Sequence, residues 1–153
     1  MDIVMQPVGQ VRGGRNVPED DDWGRSRAAI ALDPSRFGPE ALAGLESFSH
    51  AEIVYLFDRV GDDEITLGAR HPRGRTDWPK IGIFAQRGKN RPNRIGVSVC
   101  RIVAVDGLRL EVEGLDAIDG TPVLDIKPVM SGFAPRGALH EPDWAREIMA
   151  EYW

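Results

Sequence analysis

The sequence predicts a mainly β protein, an antiparallel sheet curled into a small barrel or sandwich, with a few short helices and no Rossmann sheet. Seven or eight short runs rich in Val, Ile, Leu and Tyr are separated by turn residues. Strand runs follow strand runs, whereas a parallel sheet would alternate them with long helical patterns. The Gly-x-Gly spacing of a dinucleotide-binding turn never occurs. A chain of 153 residues is expected to form one domain, residues 1–153, with a barrel core over about 3–130 and a helix over about 142–152.

Taken in order, Ile3 to Arg12 reads as the first strand, bounded or interrupted by Pro7. Residues 13–25 form a loop holding the acidic run Glu19-Asp20-Asp21-Asp22 and ending near Trp23. Ala28 to Leu32 is a short strand closed by Asp33-Pro34. Pro39-Glu40-Ala41-Leu42 opens a brief helix, because proline suits a first turn. His50 to Phe57 is dense in β-formers, and Glu64 to Leu67 is a further candidate strand. Residues 71–80 hold two prolines and three cations and read as a loop.

Gly82 to Arg87 reads as a strand and 88–92 as a loop. Ile95 to Val105 is the longest β run. Asp106-Gly107 then signals a hairpin whose two central residues both need φ > 0. Leu108, Leu110 and Val112 alternate with charged residues, as in a strand with one wet face. Asp119-Gly120 marks a second turn before a strand over Thr121 to Ile126. From Pro142, a helix would place Trp144, Ile148 and Tyr152 on one face to dock on the barrel or a partner.

Composition narrows the function. The net charge of −5 argues against a general nucleic-acid binder, yet nine cations and one anion, Asp77, lie between Arg70 and Arg101. Such a concentration suits a locally held anion; the alternative is a solvated loop. No run reaches the ~18 apolar residues of a membrane span. The N-terminus lacks a signal-peptide pattern, and the single Cys100 lies in an apolar run. A cytoplasmic protein is expected, with no membrane association. His50, His71 and His140 are widely spaced and no paired cysteines occur, so no metal site is expected. Neither a nucleophile elbow nor a phosphate-binding P-loop is present.

The segment 87–94 is the sharpest feature. Arg87, Lys89, Arg91 and Arg94 offer donors suited to carboxylate or phosphate. Gly88 permits close approach, Asn90 and Asn93 tolerate tight turns, and Pro92 stiffens the loop. It reads as a loop facing an anion or nucleotide. In Leu115 to Pro128, Asp116 and Asp119 either cap local backbone or hold a ribose, an amine or a sulfonium; composition leaves both open.

Three stretches, "GLESFSHAEIVYLF" (44–57), "GIFAQRGKNRPNRIGVSVC" (82–100) and "LDAIDGTPVLDIKP" (115–128), resemble the TrmO family, also called TsaA-like or YaeB-like. The resemblance runs from about Pro7 to Pro128. It implies a β-barrel methyltransferase using S-adenosylmethionine, a homodimer with the cofactor near the subunit interface. The implied acceptor is N6 of threonylcarbamoyladenosine beside the tRNA anticodon. By motif, the implied cofactor contacts are Phe57, Asp58, Arg59, Arg87, Val97, Asp116, Ala117, Ile118 and Asp119, with a further contact from Pro18 to Trp23. From the make-up of the cationic 87–94 loop itself, Lys89, Arg91 and Asn93 are the expected substrate contacts.

The family pattern Ala-Thr-Arg-Ser-x-x-Arg-Pro-Asn-Pro-Ile-Gly falls on residues 85–96, where Gly88 stands for serine and Arg94 for proline. Glu52 stands where an aromatic is common, and the residues after Pro128 do not resemble the extra domain of longer bacterial members. These departures bear on the acceptor more than on the cofactor. Alternatives are methylation of an anionic small metabolite, or binding of S-adenosylmethionine or a nucleotide without turnover. Methyl transfer needs alignment of donor and acceptor, worth ~7–11 kcal/mol, and no covalent nucleophile. An N6 acceptor must also lose a proton; Tyr55 and Asp58 are candidate bases.

Overall fold

Side-chain alternation along each strand creates the inner face of the sheet. The computed structural model describes residues 1–153. In β3 (His50–Leu56), Ala51, Ile53 and Tyr55 point inward and are buried. They face Cys100, Ser98 and Gly96 on β6 (Ile95–Asp106). Val11 of β1 (Gly9–Arg12), Ile30 of β2 (Arg27–Leu32), Leu110 and Val112 of β7 (Arg109–Glu113) and Val123 of β8 (Pro122–Pro128) fill the remaining core. Burying each such side chain contributes about 1.5–3 kcal/mol.

These strands close into a six-stranded barrel in the order β1-β2-β7-β6-β3-β8, every pair antiparallel. The long β6 makes closure possible: Ile95–Arg101 pairs with β3, and Arg101–Asp106 pairs with β7. A separate two-stranded ribbon joins β4 (Ala69–Arg70) to β5 (Ile81–Gly82), clamping the stem of the 71–80 loop. Antiparallel order puts alternate connections at one mouth. The loops 13–26, 57–68, 83–94 and 114–121 therefore all emerge at the end where β1, β3 and β7 finish.

Several sequence expectations are corrected. Met1 to Pro7 forms no strand, because β2 ends at Leu32 and offers the segment no further partner. Glu64 to Leu67 is not a strand; a 3-10 turn occupies Asp62–Glu64. The strand expected over 82–87 stops at Gly82 and turns at Ile83–Ala85, burying Ile83 and leaving Phe84 78% exposed. The expected helix at Pro39 is a 3-10 turn over Pro39–Ala41. The final helix α1 spans only Asp143–Ile148. In the β6–β7 hairpin the central pair is Gly107-Leu108, flanked by Asp106 paired with Arg109. Only Gly107 is left-handed, at φ +60°, so one positive φ serves where two were expected.

Candidate functional site

Gly96 sits opposite Tyr55 in the β3–β6 register and leaves room for its ring. A Cβ at Gly96 would lie 2.5 Å from Tyr55 Cε2 and 2.6 Å from Cζ. The phenol thus lies across the strand, buried, with its hydroxyl toward the 114–121 loop. Its hydroxyl donates to Asp116 Oδ1 at 3.0 Å and lies 3.3 Å from Ser98 Oγ. Ser98 also donates to Asp116 Oδ1, and Tyr152 donates to Oδ2. One carboxylate therefore gathers three hydroxyls from β3, β6 and the C-terminal tail.

Burial pushes the Tyr55 phenol well above its ordinary value, and the Asp116 charge adds to this; the Ser98 hydrogen bond and Arg87 oppose it. Tyr152 is raised for the same two leading reasons, burial and then Asp116. Burial, with Asp116 nearby, pushes the Cys100 thiol up to about 12. Both tyrosines are hydrogen-bond donors at neutral pH.

Arg87 follows the buried Gln86, whose Nε2 donates to the Arg70 and Ile81 carbonyls at 3.1 and 2.9 Å. Anchored in this way, Arg87 reaches across to the Val97 carbonyl at 2.5 Å, and its remaining guanidinium donors are exposed. Arg87 and Val97, each separately implied as a cofactor contact, are thus brought together. Phe57 packs edge-on against Tyr55, with ring centroids 5.3 Å apart. Asp58 is exposed, and Arg59 donates to the Asn16 carbonyl at 3.2 Å.

The 115–119 loop is pinned from within: Leu115, Ala117 and Ile118 are buried. Asp119 Oδ1 accepts the Gly13 amide at 2.7 Å, and the Asp119 amide donates to the Arg15 carbonyl. The amides of Asp116, Ala117 and Ile118 donate to no protein group. This leaves three adjacent backbone donors beside the carboxylate. Asp116 itself faces inward onto the hydroxyls of Tyr55, Ser98 and Tyr152 and caps no backbone amide.

Of the predicted substrate contacts, Lys89 and Asn93 are exposed, whereas Arg91 turns back to the Gln86 carbonyl at 2.8 Å. The cationic region is partly neutralised by ion pairs. Arg73 pairs with Asp21 at 2.9 Å, Arg101 with Glu113 at 3.0 Å, Arg75 with Asp77 and Arg94 with Asp62. Lys80, Arg87, Lys89, Arg70 and Arg91 have no carboxylate partner. The acidic run 19–22 therefore leans on the cationic 71–80 loop, a pairing that a charge count along the chain does not reveal.

Arg94 lies at φ +52°, a value proline cannot adopt, and its amide donates to the Arg91 carbonyl at 3.0 Å. A proline at this position, as in the resembled pattern, would not fit this backbone. Ser98 and Tyr152 carried no functional reading in the sequence. Ser98 alternates inward at a strand position, and Tyr152 reads as a helix face. No cluster of three or more His, Cys, Asp or Glu side chains converges anywhere.

The profile of the tRNA-methyltransferase O N-terminal domain matches residues 12–134. The putative S-adenosylmethionine-dependent methyltransferase RcsF of Pseudomonas aeruginosa is 43% identical over 103 residues, covering 67% of this chain and 44% of that protein. The tRNA (adenine(37)-N6)-methyltransferase of Mus musculus is 38% identical over 110 residues, covering 71% of this chain and 25% of its own. The S-adenosyl-L-methionine-binding protein of Archaeoglobus fulgidus is 32% identical over 128 residues, covering 82% and 88%. The crystal structure of TrmO from Pseudomonas aeruginosa superposes with a TM-score of 0.72 at 32% identity, covering 91% of this chain and 61% of that one. The chain thus spans less than half the length of the first two relatives.

Proposed function

The chain belongs to the tRNA-methyltransferase O family, and on that premise we propose that it is an S-adenosylmethionine-dependent methyltransferase acting on tRNA. The acceptor in this reading is N6 of threonylcarbamoyladenosine near the anticodon. The observation that carries it is the pairing, at one barrel mouth, of the exposed Arg87 guanidinium on the Val97 carbonyl with the unpaired amides of residues 116–118. That donor set fits a ligand with a carboxylate at one end and a heteroaromatic edge at the other. When bound, S-adenosylmethionine supplies an electrophilic methyl group on a sulfonium.

Arg87 holds the methionine carboxylate in this reading, and the 116–118 amides meet acceptor atoms of the adenine. Asp116 contributes negative charge toward the sulfonium from a distance, its oxygens already engaged by hydroxyls. Phe57 and Tyr55 line the mouth and keep water from the reacting face. Tyr55 keeps its proton, so it is not the base; Asp58, an exposed carboxylate at the same mouth, is the candidate that takes the N6 proton. Lys89 and Asn93 face the RNA backbone. A homodimer working in the cytoplasm is part of the proposal; the exposed Phe84, Phe133 and Leu139 support the dimer.

The test incubates the purified protein with labelled S-adenosylmethionine and total RNA, and separately with total small molecules. Label in the RNA fraction, abolished by Arg87→Ala, is the expected outcome. The Archaeoglobus relative, matched over 88% of its length, is named as a binding protein, which favours a second reading. Under it the chain binds the cofactor and never forms S-adenosylhomocysteine with either fraction.

A further inference from the structure

We propose that the C-terminal tail is part of the cofactor site, with Tyr152 as a positioning residue that acts through Asp116 on the 115–119 loop. This inference rests on the reading of that loop as the cofactor contact. β8 carries the chain away from the site mouth, and the residues after it return to that mouth. There the tail touches three loops that are already joined to one another by Arg73 on Asp21 and by Asp119 on Gly13 and Arg15, and it adds a further tie to each. The amides of Asp22 and Trp23 donate to the Glu151 and Tyr152 carbonyls at 2.9 and 2.8 Å. Trp78 Nε1 of the cationic loop donates to Glu147 Oε2 at 2.7 Å. Tyr152 reaches the third loop through its hydroxyl on Asp116 Oδ2.

The geometry makes the Tyr152 hydroxyl specific. Tyr55 and Ser98 both address Oδ1, so Tyr152 is the protein's only donor to Oδ2. It fixes the rotation of the carboxylate about its Cβ–Cγ bond. With Tyr55 and Ser98 holding Oδ1, this second anchor ties the Asp116 side chain to the tail, and the loop that carries the free amides of 116–118 is thereby tethered to it. The family match ends at residue 134, before the tail begins its return, so the match does not itself assign this element a role. Tyr152 is half-buried and lies edge-on to Trp153 with centroids 4.8 Å apart, which holds its ring independently of the hydroxyl.

Calorimetry with S-adenosylmethionine on the full chain tests this. Tyr152→Phe keeps the ring and the backbone contacts and is expected to raise Kd about tenfold, the scale of a hydrogen bond to a charged acceptor. In an Asp116→Asn background the same substitution is expected to change Kd less than about twofold, because the coupling runs through the carboxylate. With total RNA as acceptor, KM for the cofactor rises with Kd while kcat at saturation holds, a split that a general loss of folded protein does not produce. An unchanged Kd in Tyr152→Phe, or a fall in kcat at constant KM, overturns the inference. If Tyr152→Phe fails to fold, Glu147→Ala decides: it removes the acceptor of the Trp78 bond and releases the tail from that loop, and a Kd raised about two- to threefold supports the inference while an unchanged Kd overturns it. Wild-type protein that gives no heat with the cofactor overturns the functional reading itself, and this inference with it.

Discussion

The hydroxyl of Tyr55 lies 3.0 Å from Asp116 Oδ1, although 61 residues separate the two in sequence. The contact joins the last inward position of β3 to the loop between β7 and β8. Tyr55→Phe removes a hydrogen bond to a charged acceptor, and the expected loss is about 1.5–3 kcal/mol of stability. Urea unfolding with an unchanged m value and a lower midpoint would show it.

Alkaline pH should destabilise the fold. In the unfolded chain Cys100 and the tyrosines ionise near their ordinary values of 9.0 and 10.0, whereas burial beside Asp116 raises all three in the folded protein. The folded state therefore binds more protons above those values. The stabilisation is complete below about pH 9 and is lost as pH rises toward the folded values, about 12 for Cys100 and higher for the tyrosines. Each group still protonated only in the fold contributes a slope of about −1.4 kcal/mol per pH unit. Unfolding midpoints measured from about pH 8 to 11 should fall, and less steeply in Tyr55→Phe.

Gly96→Ala places a methyl group against the Tyr55 ring, 2.5 Å from Cε2, and also 2.9 Å from Phe57 Cζ. The ring has to move, and overpacking of this kind costs about 1–3 kcal/mol. Chemical denaturation measures the loss. Cofactor titration should show weakened binding as well, because the displaced phenol no longer meets Asp116.

Arg94→Pro restores the residue type common in the family but conflicts with this backbone. Proline requires φ near −65°, the chain sits at +52°, and the amide bond to Arg91 is lost. A cost of about 3 kcal/mol is expected. If the loop instead rearranges without penalty, equal unfolding midpoints for the two proteins would reveal it.

Lys89→Ala should alter binding to RNA without altering binding of the cofactor. Lys89 is exposed and has no carboxylate partner. For single-stranded RNA, losing one phosphate contact reduces the slope of log K against log salt by about 0.7. Arg91→Ala should have a smaller effect on that slope, because its guanidinium is turned toward the Gln86 carbonyl.

Much of the fold was legible because its cause is local. The alternation of Leu110 and Val112 with Glu111 and Glu113 marks a strand whatever its neighbours are. The run from Ile95 to Val105 marks β6 equally well. Errors fell where strand formation depends on a partner. Met1 to Pro7 and Glu64 to Leu67 have β-forming residues but no edge to pair with. Gly82 to Arg87 looked like strand because Ile83 is apolar, yet its burial comes from a single turn.

At the site, Arg87 and the 115–119 loop stood out in the sequence through residue type and motif, since a cation in a turn and an Asp-Gly turn are short-range signals. By itself the sequence determined the mainly β class, the cationic 87–94 loop and the Asp-Gly turns, which follow from side-chain pattern over a few residues, while three longer motifs carried the family resemblance. Only the tertiary structure decided that Tyr55, Ser98 and Tyr152 share one carboxylate and that Asp21 quenches Arg73. Those contacts arise when barrel closure and the returning tail bring distant segments together, and no local pattern encodes which polar group will then face which.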